Sequence, residues 1–287
     1  MHYVQAKGIL SQNNGMNIYR GCSHGCIYCD SRSKCYGFTH AFEDIEVKEN
    51  APELLEQALR SKRHKCMIGT GAMCDPYLPA EKELQLTRKC LKLIDRYEYG
   101  VTVLTKSNLV LRDLDLLQSI HKKTKAVVQM TLTTYDEDLC RKLEPNVSTT
   151  RERFEVLMRC KELGIPTLVW MTPILPFIND TRENIEGLLD YCLQAGVQGI
   201  LVFDVGVTLR EGDREYFYQA LDRDFPGIRQ KYISTYGNAY DIPSPHAKEL
   251  MSLIQNTCTA NGMLCSPKEC FTYLHEFPER YVQQTLF

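Results

Sequence analysis

Cysteines are the residues most able to do chemistry in this sequence, and three of them sit close together near its start. Cys22, Cys26 and Cys29 follow the spacing C-x-x-x-C-x-x-C within YRGCSHGCIYCDSR. Thiolates so placed in a reduced protein bind zinc or an iron–sulfur cluster. Structural zinc takes four protein ligands, usually as two separated pairs, and no partner C-x-x-C pair follows nearby. A 4Fe–4S cluster held by three thiolates leaves one iron open to a further ligand. Gly21 and Gly25 flank Cys22 and let the loop wrap a bulky inorganic core without side-chain clash. A second chemical segment is GTGAMCDPY, residues 69–77. Gly69 and Gly71 permit close backbone approach, Thr70 or Asp75 can accept a hydrogen bond from an ammonium group, and Cys74 offers a weak S–H bond. The same segment also reads as a strand-to-turn element closed by Asp75-Pro76.

The elements that must position these residues follow a βα repeat. Stretches with apolar residues at i, i+3 and i+4 occur at 51–62, 81–97, 111–123, 148–164, 181–196 and 212–225. Between them lie the short apolar runs CMIGTGAM, GVTVLTKS, AVVQMTLTT, TLVWMTPILP and GILVFDV, as expected for strands buried on both faces of a parallel sheet. With MNIYRG (16–21) as a first strand, the unit recurs about six times, and right-handed crossovers curl it into an α/β partial (β/α)6 barrel. Gly100, Gly164 and Gly199 fall between a helix and the next strand, where helix C-caps favour glycine. We expect the barrel over residues 1–225 and a C-terminal extension packed on it over 226–287. Chemistry in βα barrels sits in the loops after the strands, so the cysteine loop lies on the active face. Arg20, Lys106, Arg112, Arg182, Arg210 and Arg214 are cations expected there.

Composition bounds the setting. The 287 residues carry 34 basic and 36 acidic side chains, a balance with no overall electrostatic footprint for nucleic acid, although a local groove can still be basic. The N-terminus has no continuous apolar stretch of the secretory kind, and the most apolar run, 167–178, is short and proline-rich, so we expect no membrane span and a cytoplasmic location. An odd count of thirteen cysteines argues against a disulfide scaffold.

The cysteine motif, with Tyr28 beside its last member, resembles that of the radical S-adenosylmethionine (SAM) superfamily. The segments YRGCSHGCIYCDSR, GTGAMCDPYLPAE, TKSNLVLRD, LEP and ILPFINDTREN resemble its spore photoproduct lyase-like branch. The resemblance implies a 4Fe–4S cluster on Cys22, Cys26 and Cys29, with the open iron binding the amino and carboxylate groups of SAM. It implies reductive cleavage of SAM to a 5′-deoxyadenosyl radical, an electron donor such as flavodoxin or ferredoxin, and repair of damaged DNA by a carbon–carbon lyase reaction. It further implies SAM contacts from Thr70, Gly71 and Asp75 after the second strand, from Thr133 after the fourth, and from Ile174 after the fifth. Cys74 is then the candidate that returns a hydrogen atom to the product radical. Two other readings stand beside it: a radical SAM enzyme that modifies a peptide or RNA, and a non-catalytic, zinc-stabilised binding protein.

Three further features bear on partners. Cys258, Cys265 and Cys270 would hold a second cluster only with a fourth ligand such as Cys35 or Cys74, and read more simply as buried thiols. Tyr232, Tyr236 and Tyr240, spaced i, i+4, i+8, could stack on bases, although such stripes are usually core. The terminal QQTLF, with Gln283, Leu286 and Phe287, resembles the short peptide by which bacterial repair proteins bind the DNA sliding clamp. Burying two such apolar side chains contributes about 1.5–3 kcal/mol each before ordering costs, so contact on the order of micromolar is expected. Titrating purified clamp should show binding by the full chain and none after deletion of residues 283–287; equal behaviour of the two would refute the assignment.

Overall fold

The computed structural model describes residues 1–278; the QQTLF tail therefore lies outside the described residues. Six strands form one parallel sheet in chain order: β1 (Gly15–Met16), β2 (Met67–Thr70), β3 (Gly100–Thr105), β4 (Ala126–Thr131), β5 (Thr167–Trp170) and β6 (Gly199–Leu201). Helices α1 (Ala51–Ser61), α2 (Leu86–Arg96), α3 (Leu114–Lys123), α4 (Thr150–Glu162) and α5 (Arg182–Ala195) make the crossovers. No pairing joins β1 to β6 among the described residues, which is the partial (β/α)6 barrel expected. All six residues of β4 are buried, as a central strand covered on both faces requires. Each helix turns an apolar stripe to the sheet; in α2 it is Leu86, Cys90, Leu91 and Ile94.

Local chemistry sets the ends of these elements. A capping box of Thr149 and Glu152 starts α4, and the Thr181 hydroxyl caps α5. Of the three glycines expected at helix ends, only Gly164 adopts the left-handed backbone (φ +69°). Gly196, not Gly199, closes α5. Gly100 and Gly199 open strands, where a Cβ would collide with the Met67 sulfur and the Leu264 carbonyl.

The expected first strand, 16–21, divides in two. After Met16 the chain leaves the sheet, and Tyr19–Arg20 pairs antiparallel with Glu46–Lys48, which also pairs in parallel with His2–Val4. The backbone groups of Tyr19 and Arg20 are thus taken by Val47 and Glu46 instead of β2.

After β6 come a hairpin of Gly206–Thr208 with Asp241–Pro243, and helices α6 (Asp213–Asp224), α7 (Ile228–Tyr236), α8 (Ala247–Ala260) and α9 (Pro267–His275). Leu250, Ile254 and Cys258 of α8 enter the main core, and Ile200 donates its N–H to Leu264, covering the outer edge of β6. Tyr232 is wholly buried and hydrogen-bonded to the Pro176 carbonyl, so the tyrosine stripe is core at that position and no base-stacking platform. Among the described residues no helix is long and apolar enough to cross a membrane.

Candidate active site

A cavity of about 640 Å³ opens at the C-terminal ends of the strands. Its wall takes Cys22, Cys26 and Cys29 from the loop after β1, Gly71–Asp75 after β2, Lys106 after β3, and Thr131, Trp170 and Phe203 near the ends of β4, β5 and β6. The cysteine loop is shaped by two glycines with left-handed backbones, Gly21 (φ +83°) and Gly25 (φ +72°). A Cβ on Gly21 would stand 2.5 Å from the Phe42 carbonyl oxygen, so only glycine fits there. The loop is tied on both sides: Cys22 N–H donates to Phe42, Ile27 N–H to Leu143, and the Asn146 side chain to the Ser23 carbonyl.

The spacing of the thiols decides which metal group they suit. Four-coordinate zinc with Zn–S bonds of about 2.3 Å brings its sulfurs within about 3.8 Å of one another. Among the described residues the only three metal-capable side chains with donor atoms within 4.8 Å of each other are His2, His40 and Glu46. The three cysteines therefore face one cavity without closing on a single ion.

Burying three ionisable thiols beside one another makes their protonation depend on neighbouring charge. Burial pushes the Cys26 and Cys29 thiols up, and the Lys106 ammonium opposes this at both. Cys22 is held well below the usual thiol range, chiefly by a hydrogen bond from the Cys74 thiol and, against the cost of burial, by His24. Burial disfavours a charged His24, but Asp75 and Cys22 more than offset it and hold the imidazole above its ordinary range; its Nδ1 lies 3.5 Å from Asp75. Likewise the burial of Lys106 is outweighed by Cys26 and Glu144, leaving its ammonium more firmly protonated. It lies 5.7 Å from the centre of the Tyr28 ring.

Beneath Lys106 lies a buried polar network that pattern reading did not assemble. Glu144 accepts hydrogen bonds from the Tyr28 hydroxyl and from Arg153, both fully enclosed with it. Arg153 also donates to the carbonyls of Thr131 (2.9 Å) and Ser148 (2.7 Å). Burial would raise the Glu144 carboxyl, but Arg153 and Lys106 dominate and hold it below the usual carboxylate range. A signal for Arg153 did exist, because it falls on the buried stripe of α4 with Thr150, Leu157 and Cys160.

The structure sorts the remaining expected residues. Gly71 (φ +101°) lines the cavity and admits no side chain, since a Cβ would lie 2.0 Å from the Leu104 carbonyl oxygen. Thr70 is buried and is not part of the wall. Asp75 reaches the wall, but its oxygens accept from Thr105 Oγ1 (2.7 Å), Lys106 N (2.7 Å) and Tyr77 N (2.8 Å), so it fixes the turn after β2. Thr133 is fully buried, with its carbonyl taken by Asn179 and Asn184; Thr131 occupies the wall there. Ile174 is buried behind Thr172 and Pro173, which line the cavity. The Cys74 sulfur lies 2.7 Å from the Gly21 carbonyl oxygen, against Cys22.

Of the six cations expected on this face, only Lys106 lines the cavity. Arg20 bonds the Tyr36 and Gly37 carbonyls, Arg112 pairs with Glu81 and Asp113, and Arg182 with Glu186. Arg210 meets Asp30, and Arg214 the Leu209 and Ala239 carbonyls. The Cys258–Cys265 pair lies beside Leu264 and the N-terminal end of β6, at the opposite end of the sheet from Cys35 and Cys74, so neither can complete a second cluster there.

The chain matches the radical SAM superfamily over residues 16–192 and belongs to it. Its cofactors are accordingly a 4Fe–4S cluster and SAM, which replaces the zinc-stabilised binding protein as a reading. An uncharacterised protein of Mycobacterium tuberculosis is 29% identical over 249 residues, covering 82% of this chain and 70% of that one. An uncharacterised protein of Methanocaldococcus jannaschii is 34% identical over 169 residues, covering 58% of this chain and 62% of the other. Among solved structures, spore photoproduct lyase complexed with dinucleoside spore photoproduct aligns with a TM-score of 0.63 at 14% identity, over 91% of this chain and 78% of that one. At that identity the likeness is one of fold.

The Glu144 network yields a stability prediction. Glu144→Ala leaves Arg153 and Lys106 buried without their shared carboxylate, a change that typically costs about 3–5 kcal/mol. A fall of that size in unfolding free energy should appear in anaerobic urea titration, and an unchanged midpoint would contradict the network's role.

Proposed function

We propose that this enzyme uses SAM-derived radical chemistry on damaged DNA, in the manner of a photoproduct lyase. The observation that carries the reading is the aromatic side of the cavity. Trp170 and Phe203 both line it, with ring centroids 6.1 Å apart, and Phe203 is 55% exposed. An exposed aromatic at the mouth of a cavity is a stacking surface for a flat ring, and base stacking contributes about 1–3 kcal/mol per base. Trp170 is steadied by an indole N–H bond to Gln129 (2.8 Å), so the platform is held in place before any substrate arrives. The fold likeness to spore photoproduct lyase over nine-tenths of the chain agrees with the reading.

When bound, the cluster and SAM supply a 5′-deoxyadenosyl radical, with the electron drawn from a flavodoxin- or ferredoxin-like donor. The chain's own residues do the rest. Cys22, Cys26 and Cys29 hold the cluster, Lys106 balances their charge, and Gly71, packed against the Leu104 carbonyl, sets the backbone of the wall beside them. Cys74 stands at the cavity wall and returns a hydrogen atom to the product radical, its S–H bond breaking as the new C–H bond forms.

Reconstituted enzyme with SAM and dithionite should release 5′-deoxyadenosine and restore thymines from irradiated DNA containing spore photoproduct. Cys74→Ala should still cleave SAM but give aberrant thymine products. SAM cleavage with no change in the irradiated DNA would remove the DNA reading and leave a radical SAM enzyme of another substrate, such as a peptide or RNA. Normal product from Cys74→Ala would make Cys74 structural.

A further inference from the structure

Outside the cavity, three side chains converge with no role in the chemistry above: His2, His40 and Glu46. One donor atom from each lies within 4.8 Å of the other two, and all three are half-buried. Their convergence is built into the backbone. His2 and Glu46 are register partners on adjacent parallel strands, so their side chains leave the same face of the small sheet. His40 arrives from the preceding loop, its ring edge-on to His2 with centroids 4.9 Å apart.

The hydrogen bonds fix which nitrogen of each ring is free. His40 Nδ1 lies 2.9 Å from the Ala41 carbonyl oxygen, which only accepts, so Nδ1 carries the proton. His40 Nε2 is then the lone-pair nitrogen. It is buried, has no hydrogen-bond partner, and lies 3.9 Å from the Glu46 carboxylate. His2 Nδ1 likewise donates to Asp44 (2.9 Å), leaving its own Nε2 available. A ring nitrogen of His2, the free Nε2 of His40 and the Glu46 carboxylate converging in this way are donors that a bound cation would satisfy. A histidine ligand whose other nitrogen donates to a carboxylate is the usual outer arrangement of a metal site, and Asp44 fills that place for His2.

We infer that His2, His40 and Glu46 form a second metal site, separate from the cluster, for a divalent first-row ion of the zinc class. Imidazole and carboxylate donors suit that class, which binds them at metal–ligand distances of about 2.0–2.2 Å. The site would serve as a clip. It joins the N-terminal strand to the segment 40–46, whose Phe42 carbonyl receives the Cys22 N–H and stands where a side chain on Gly21 would lie. A metal here therefore braces the back of the cysteine loop without touching the cavity. The inference is independent of the DNA reading.

The test uses the cluster-loaded enzyme, so that the three cysteines are occupied. After titration with zinc alone and desalting, metal analysis should give one zinc per chain beyond the cluster iron. His40→Gln and Glu46→Gln should each lose that zinc while keeping the iron, which also shows that the variants are folded. Asp44→Asn, which leaves all three ligands in place, should weaken zinc binding about 10–100-fold. Absence of the extra zinc from the unaltered enzyme, or zinc retained by both ligand variants at the level of the unaltered enzyme, would overturn the site and leave a protonated His40 paired with Glu46.

Discussion

The structure depends on balancing charge where three ionisable thiols are buried side by side. Moving ionised groups into an apolar interior costs several kcal/mol each unless a partner is fixed nearby. Here Lys106 opposes the rise at Cys26 and Cys29, and Cys22 is held low by Cys74 and His24. Lys106 in turn is kept charged by Cys26 and Glu144, and Glu144 by Arg153. The chain of compensation runs from the cavity wall through the Tyr28 hydroxyl to the buried face of α4. Few of these groups could be neutralised alone without stranding the next.

That balance explains why so much of the fold is committed before any substrate is bound. The parallel sheet brings the ends of six strands to one face, and the backbone is pressed close at Gly21 and Gly71, where no other residue fits. Asp75 spends its oxygens holding β2's turn against Thr105 and Lys106, which places both Cys74 and the ammonium. The aromatic side, Trp170 and Phe203, lies on β5 and just beyond β6. The cavity thus sets the cysteines and Lys106 on the early strands against an aromatic pair on the late ones.

Much of this was legible in the sequence because two of its signals are local. The C-x-x-x-C-x-x-C run and the alternation of apolar runs with i, i+4 stripes need no tertiary information, and they placed the cysteine loop on the right face. What could not be read was set by contacts distant in sequence. Tyr19 and Arg20 looked like a continuation of β1, yet their pairing partners lie some 26 residues on, at Val47 and Glu46. Thr133 and Ile174 have the residue types expected of cavity walls, but the turns after β4 and β5 bury them and present Thr131, Thr172 and Pro173 instead. Five of the six cations are engaged by carboxylates or carbonyls elsewhere, which no periodicity reveals. Arg153 was hidden by the ordinary expectation that an arginine in an amphipathic helix faces water.

The central claim is that Cys22, Cys26 and Cys29 together hold one 4Fe–4S cluster in this cavity. Iron and acid-labile sulfide analysis of anaerobically reconstituted enzyme, with electron paramagnetic resonance of the dithionite-reduced form before and after adding SAM, tests it most directly. The account predicts four irons and four sulfides per chain, a cluster signal that shifts when SAM binds, and loss of both in the Cys22→Ala/Cys26→Ala/Cys29→Ala variant. A cluster retained in that variant, or a signal indifferent to SAM, would contradict it.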